Sequence, residues 1–441
     1  MPEPFAAPHA SASRSAIVLE ANAPWLTRHS FLLALFFGVA ALALLLPGLG
    51  RPKTTFFDEL YFVPEARALL QGTPNPTPYV SSLAKPPLGK IIMAVGMKIA
   101  GDNSFGWRFA GAICGALTVP AVYLWASLLL EDVGLASLAA ALALFNNFLF
   151  VMSRIATVDV FLLFFLLWSL VAFTASLALE ISGPARRALF CASGVLVGFA
   201  GAVKWNAIDT LGAFYVVCIV LLYLSRRVPG NPAGAMFLYA RRLRQIGPFC
   251  LIIGLVVAPI VCYGLAFWPM CRLLHLPFTP GEVVAINRFM WQFNKTTPVN
   301  PFIIMPWYAW PLNLKPQRTL SYLVGNPVVT WGGLVALLVC GWRFCRRLAV
   351  PEGLVFLLFS LNFLQWVVTP QKGLYYYYYY PCVMFLGVAI AVALRFGQRI
   401  LGIRSSVIVA LVAAVVFARC YAQMAHLEAP WDCLLGCFPF N

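Results

Sequence analysis

Charge is scarce in this 441-residue chain: Asp, Glu, Lys and Arg supply 10% of it, where an ordinary soluble domain carries about a quarter. That scarcity excludes a water-facing globular protein. Acidic residues are the scarcest, 15 against 31 Lys and Arg. The four histidines, His9, His29, His275 and His426, lie far apart without metal-ligand spacing. No Gly-rich phosphate loop is present either, so the sequence demands no metal and no nucleotide cofactor.

What fills the chain is apolar: 61% of residues are hydrophobic and the mean hydropathy is +0.84. Apolar runs of about 20 residues, long enough to cross a hydrocarbon core, recur from Phe31 almost to the C-terminus. Spans near 31–49, 107–130, 135–152, 158–178, 188–203, 206–224, 247–268, 328–342, 352–369, 378–394 and 405–421 give about 11 crossings in an all-α integral membrane protein. Run 31–47 has signal-peptide composition, but no convincing cleavage site follows it, so it is kept as the first span.

The net charge of +16 is read by location rather than sign. Arg186 and Arg187, then Arg226, Arg227, Arg241, Arg242 and Arg244, then Arg343, Arg346 and Arg347, then Arg395, Arg399 and Arg404 fall in alternate loops. This is the cytoplasmic bias of basic residues. It predicts a cytoplasmic N-terminus and an extracytoplasmic C-terminus, and it makes the bilayer, not nucleic acid, the partner of the charge. The Glu131–Asp132 loop, which has no basic residue, votes weakly.

The chain then divides into a polar tail over 1–28, predicted to be cytoplasmic and disordered, a polytopic domain over 29–422, and an extracytoplasmic tail over 423–441. Two large extracytoplasmic loops interrupt the domain. Loop 50–106 is proline-rich and carries Leu88 to Ala100, too short to span and suited to the interface. Loop 269–327 is dense in Trp and Tyr, which favour the headgroup level and also offer faces for sugars. The run Tyr375 to Tyr380 is predicted to anchor at the same level. Most of the 12 cysteines sit in or beside spans as packing residues. Cys433 and Cys437 lie where an oxidising compartment permits a bridge.

Ionisable groups close to span ends are functional candidates, because charge at membrane depth is expensive. On the predicted outer face these are Asp58 and Glu59, Arg108, Arg154 and Asp159, Lys204 and Lys372. The set suits displacement of a phosphate from a sugar carbon by a hydroxyl. A carboxylate takes the hydroxyl proton, and fixed cations stabilise the charge growing on the phosphate. Helix-tying salt bridges are the plainer reading, and the short separation of Arg154 and Asp159 suits a local pair. A transporter of an anionic lipid or sugar is a third reading. Against it, the charges gather at one face and the two halves show no obvious repeat.

The stretches Phe57-Asp58-Glu59-Leu60-Tyr61-Phe62, Lys85-Pro86-Pro87-Leu88-Gly89-Lys90, Gly101-Asp102-Asn103-Ser104-Phe105-Gly106-Trp107-Arg108, Ser153-Arg154-Ile155-Ala156-Thr157-Val158-Asp159 and Lys204-Trp205 closely resemble the protein O-mannosyltransferase family. The order and spacing match over about 50–210, with weaker similarity in Trp307-Tyr308-Ala309-Trp310-Pro311-Leu312 and Gly325-Asn326-Pro327-Val328. The resemblance implies the GT-C membrane fold and inverting transfer of mannose from a polyprenyl-phosphate carrier to Ser or Thr hydroxyls of secreted proteins. It implies Asp58 as base and Glu59 as its acidic neighbour, with Arg108, Arg154 and Asp159 as donor or acceptor contacts. The chain departs from the family pattern at Lys85, where the family usually has His, and Lys85 joins the substrate-binding candidates. It has no soluble β-trefoil insertion, which implies a bacterial-type member in the plasma membrane. Transfer to a lipid A or envelope glycolipid acceptor is the alternative within the same donor chemistry.

Overall fold

The computed structural model describes residues 30–74, 84–227, 235–296, 304–313, 323–369, 374–401 and 404–425. Lys372, the whole 1–28 tail, and Cys433 and Cys437 lie outside them.

The elements run α1 (Ser30–Leu45), α2 (Glu59–Gln71), α3 (Leu88–Ala100), α4 (Ser104–Leu130), α5 (Val133–Leu144), α6 (Asn147–Ser153), α7 (Asp159–Ala178), α8 (Gly183–Val203) and α9 (Ala207–Arg227). They continue with α10 (Ala235–Ile252), a π-helical stretch (Ile253–Val257), α11 (Ala258–Leu265), α12 (Trp268–Leu273), α13 (Pro280–Thr296), a 3₁₀ turn (Trp307–Leu312), α14 (Pro327–Arg347), α15 (Val350–Val368), a second 3₁₀ turn (Tyr376–Tyr379), α16 (Tyr380–Leu401) and α17 (Arg404–Met424). The described residues form an all-helical integral membrane fold.

By length and hydropathy, 8 helical runs among the described residues can cross a membrane. A ninth is the pair α5 and α6, bent by 52° where a single span over 135–152 was expected. The bend has a local cause. The Asn146 side chain accepts from the Phe148 backbone N–H at 2.9 Å and starts a new helix where hydropathy alone reads one run. The expected spans 31–49 and 206–224 fall on α1 and on Ala207–Tyr223, which are shorter apolar helices.

Two helices form the centre: 78% of the apolar window is buried in α7 and in the segment containing α16, against 22% in α17, whose open flank fits lipid. α8 packs along α7 and α11. A Cβ on Gly194 would come within 2.0 Å of the Gly254 carbonyl oxygen, the close backbone approach that small residues permit between membrane helices. At the α7 C-terminus, Arg186 donates to the carbonyls of Ser176, Leu179 and Ile181, and Arg242 to those of Leu177 and Ala178. Two arginines of the basic loops therefore satisfy the carbonyls that a helix end leaves open.

α3 packs on α2 and α4, and its Lys90 is 2% exposed with Glu65 at 3.8 Å. Tyr376 to Tyr380 are buried. Their rings pack on Phe148, Trp310 and Trp366, and Trp310 is itself buried. α15 and the Trp307–Leu312 turn thus cover the run within the protein.

Candidate active site

The first loop turns sharply into α2. Phe57 takes a positive φ of 52°, and the next two residues, both acids, diverge. Glu59 turns inward. Its carboxylate receives Arg108 at 2.7 and 2.8 Å, the Ala156 backbone N–H at 2.8 Å and the Phe56 N–H at 3.3 Å. Both Glu59 and Arg108 are 0% exposed.

Arg108 is brought there by the start of α4. Asn103 caps the helix by accepting from the Phe105 and Gly106 N–H groups, and a Cβ at Gly106 would strike the Gly101 carbonyl oxygen at 1.8 Å, so that turn admits only glycine. Besides Glu59, the guanidinium donates to the carbonyls of Leu49 at 3.1 Å, Pro52 at 2.9 Å and Thr54 at 3.4 Å. Those bonds use all five of its N–H donors. The expected role of Arg108 as a phosphate contact has no donor left to serve it; the residue ties the first loop to α4.

Arg154 is largely taken up by backbone: three of its five N–H donors go to the carbonyls of Leu45, Pro47 and Ala425, and it stacks on Phe150 at 5.1 Å. It does not pair with Asp159. That carboxylate, opening α7, binds Lys204 at 2.6 Å, where α8 ends, and each side chain is 7% exposed. Separation along the sequence misled here. Arg154 closes α6 and faces the ends of α1 and α17, while Asp159 starts a new helix and faces α8.

Asp58 stays partly exposed and sits at the N-cap of α2 without a capping hydrogen bond. It accepts from the Tyr377 hydroxyl at 3.2 Å. Burial pushes its carboxyl up to about 6 and the Asp159 charge adds to this, while Lys85, the Tyr377 hydrogen bond and Lys204 oppose it. Lys85, half-buried in the turn before α3, donates to Asn294 Oδ1 at 3.4 Å. Burial holds its ammonium down at about 8, with Lys204 acting in the same direction and Asp159 and Asp58 against it.

Lys85 and Lys204 also line a cavity of about 550 Å³. Its walls are mostly apolar: Val197, Gly201, Ile208, Leu211, Pro259 and Ile260 from α8, α9 and α11. Near the lysines the lining becomes polar and aromatic, with Asn206, Asn294, Gln365, Trp205, Trp291 and Trp366. The two amides Asn206 and Gln365 bond each other at 2.8 Å. Lys295 is a third lysine in the lining. Asp58 and Asp159 do not line this space; Asp159 pairs with Lys204, and Asp58 interacts electrostatically with Lys85 and Lys204. A phosphate held by the lysines would place an apolar chain along α8 and α9 and leave a carboxylate free to receive a proton. Among the described residues no group of three or more His, Cys, Asp or Glu is placed to hold a metal.

Of the expected site residues, the structure brings Asp58, Lys85, Asp159 and Lys204 together and commits Glu59, Arg108 and Arg154 to the framework. Sequence reasoning missed Tyr377, Asn206, Asn294 and Gln365. The tyrosine run was visible, but its burial was not. The three amides carry no sequence signal that separates them from ordinary loop and helix polarity.

Two solved structures share the architecture. The S. cerevisiae protein O-mannosyltransferase complex bound to its sugar donor superposes with a TM-score of 0.75 at 13% identity, over 92% of this chain and 91% of that one. ArnT from Cupriavidus metallidurans gives 0.58 at 16%, over 92% and 76%. The chain shares the fold of these two proteins.

Residues 79–275 match the family model described as dolichyl-phosphate-mannose-protein mannosyltransferase. Curated relatives named polyprenol-phosphate-mannose--protein mannosyltransferase are 25% identical over 78% of this chain and 78% of theirs in Mycolicibacterium smegmatis, and 24% identical over 77% and 76% in Mycobacterium tuberculosis. These matches agree with the resemblance drawn from the motifs: over 79–275 the chain is similar to the protein mannosyltransferase family.

Proposed function

We propose that the protein is an inverting glycosyltransferase that moves mannose from a polyprenyl-phosphate carrier to Ser or Thr hydroxyls of secreted proteins. One observation carries the reading: Lys85 and Lys204 converge on an apolar-walled cavity with the Asp58 carboxylate electrostatically joined to both. In the reaction the acceptor oxygen forms a bond to the sugar C1 as the C1–O bond to phosphate breaks. The bonding pair leaves on the phosphate, and the hydroxyl proton passes to Asp58. Lys85 and Lys204 stabilise the charge developing on the phosphate oxygens, so the step is written without a metal.

Asp159 holds Lys204 in place rather than touching the donor. Glu59 and Arg108 hold the first loop so that Asp58 meets the cavity's cations, and Arg154 ties the ends of α1 and α17 to α6. The loop arginines support a site on the extracytoplasmic face, where the carrier's headgroup and a secreted chain meet, and the bacterial relatives support the plasma membrane as its location. The family match over 79–275 and the names of the relatives support the mannosyl donor and the protein acceptor.

The test is transfer of radiolabelled mannose from polyprenyl-phosphate-mannose to a Ser/Thr-rich secreted acceptor by purified protein, wild type beside Asp58→Asn. Transfer by the wild type and its loss in a folded variant support the reading. Folded wild type that transfers no mannose to protein, but glycosylates a lipid acceptor, overturns the acceptor assignment.

A further inference from the structure

We propose that Tyr377, at the centre of the tyrosine run, is a positioning residue for the Asp58 carboxylate, fixing Oδ2 through its hydroxyl so that Oδ1 is presented to the acceptor. The inference rests on the reading of Asp58 as the base and goes beyond it. Asp58 needs such a support because its own helix gives none: it occupies the N-cap of α2 without bonding a backbone N–H. The Tyr377 hydroxyl donates to Oδ2 at 3.2 Å. A carboxylate held at one oxygen keeps the lone pairs of the other for an incoming hydroxyl.

The tyrosine is itself fixed. It is 4% exposed. Its ring meets Phe57 edge-on at 5.6 Å, stacks with Tyr375 at 5.6 Å and meets Tyr378 at 4.7 Å. Phe57 adjoins Asp58 in sequence, so the same ring that bonds the carboxylate also packs against the turn that delivers it. The Lys204 ammonium lies 5.5 Å from the Tyr377 ring and 4.1 Å from that of Tyr378, close enough for cation–π attraction. The run therefore touches the base on one side and the cavity's lysine on the other. Its burial among Phe148, Trp310 and Trp366 makes the short 3₁₀ turn a rigid mount.

The groups facing Asp58 are Tyr377 and Tyr375 from the run, Asp159 from the start of α7, Lys204 from the end of α8 and Lys85 from the turn before α3. Among them Tyr377 donates a hydrogen bond to the carboxylate and favours its charged form. Removing that hydroxyl raises the pH at which Asp58 becomes a competent base.

The experiment is kcat and KM for purified Tyr377→Phe across pH, with polyprenyl-phosphate-mannose and a Ser/Thr peptide, beside wild type and Asp58→Asn. The expected result is an acid limb moved upward by about half to one pH unit, the size of one hydrogen bond to the carboxylate. A lowered kcat and a donor KM near that of wild type should accompany it. An unmoved acid limb overturns the inference, as does a loss expressed only in donor KM. If the phenylalanine variant does not fold, 3-fluorotyrosine at 377 replaces it. Its more acidic hydroxyl is a stronger donor and should move the limb downward; an unchanged limb again overturns the inference. Asp58→Asn separates the layers: its retained activity sinks the assignment of Asp58 as the base, and absence of transfer in wild type sinks the proposed function, whereas a dead Asp58→Asn with an unmoved Tyr377→Phe limb sinks only this inference.

Discussion

Asp58 and Glu59 are neighbours in sequence and opposites in the fold. Glu59 is fully enclosed, receiving two Arg108 donors and two backbone N–H groups, while Arg108 spends its other three donors on backbone carbonyls. Asp58, one residue earlier, keeps partial exposure, one tyrosine hydrogen bond and three charged neighbours across a gap. A completely paired ion pair is built to stay as it is, since protonating the carboxylate or removing the guanidinium leaves a buried charge without a partner. An incompletely paired carboxylate near the usual operating pH is suited to gain and lose a proton. The same contrast separates the cations: Arg108 and Arg154 are spent on backbone carbonyls, while Lys85 and Lys204 line open space.

The sharpest way to test that contrast is to remove one carboxylate's charge at a time. Asp58→Asn should lower transfer by about 10²- to 10⁴-fold, the usual worth of a positioned base, while thermal unfolding in detergent stays near that of wild type. Arg108→Ala should act on the other half of the contrast. It leaves Glu59 buried without its partner, costs about 3–5 kcal/mol of stability, and is read as a lowered unfolding temperature and a low yield of folded protein.

Lys204→Gln should cut kcat by about 10²-fold, as loss of one preorganised stabilising group does. It should do so even where the variant remains folded.

The smallest effect concerns pH. With Asp58 raised to about 6 and Lys85 lowered to about 8, kcat/KM should follow a bell. Below pH 6 the base is protonated and activity falls; above pH 8 Lys85 loses its positive charge and phosphate stabilisation weakens. Lys85→Met should move the acid limb upward, because the Lys85 charge favours ionised Asp58. It should also remove the alkaline limb. A bell unchanged by Lys85→Met would remove that residue from the site.

Much of this was legible before folding. The one-sided placement of ionisable groups at span ends pointed to Asp58, Asp159 and Lys204, and the departure from the family pattern singled out Lys85. What the sequence could not carry was pairing, since the pairs join distant helices. Glu59 reaches Arg108 across 49 positions and Asp159 reaches Lys204 across 45, so proximity along the chain favoured the wrong partner for Asp159. Side-chain direction at a helix start decides such pairs, and periodicity does not encode it. The helical class was plain from apolar runs, whereas the bend between α5 and α6 depends on a single capping asparagine inside one of them. The tyrosine run was conspicuous, but its burial inside the protein was not legible, because burial of polar aromatics is set by what packs over them.

The most direct measurement is a paired one: mannosyl transfer and thermal unfolding on Asp58→Asn and Glu59→Gln, purified side by side. Asp58→Asn should fold like wild type with transfer lowered by about 10²- to 10⁴-fold, and Glu59→Gln should lose stability first, with activity following the folded fraction. A folded, active Asp58→Asn, or a Glu59→Gln that is as stable as wild type yet inactive, would contradict the division between base and framework.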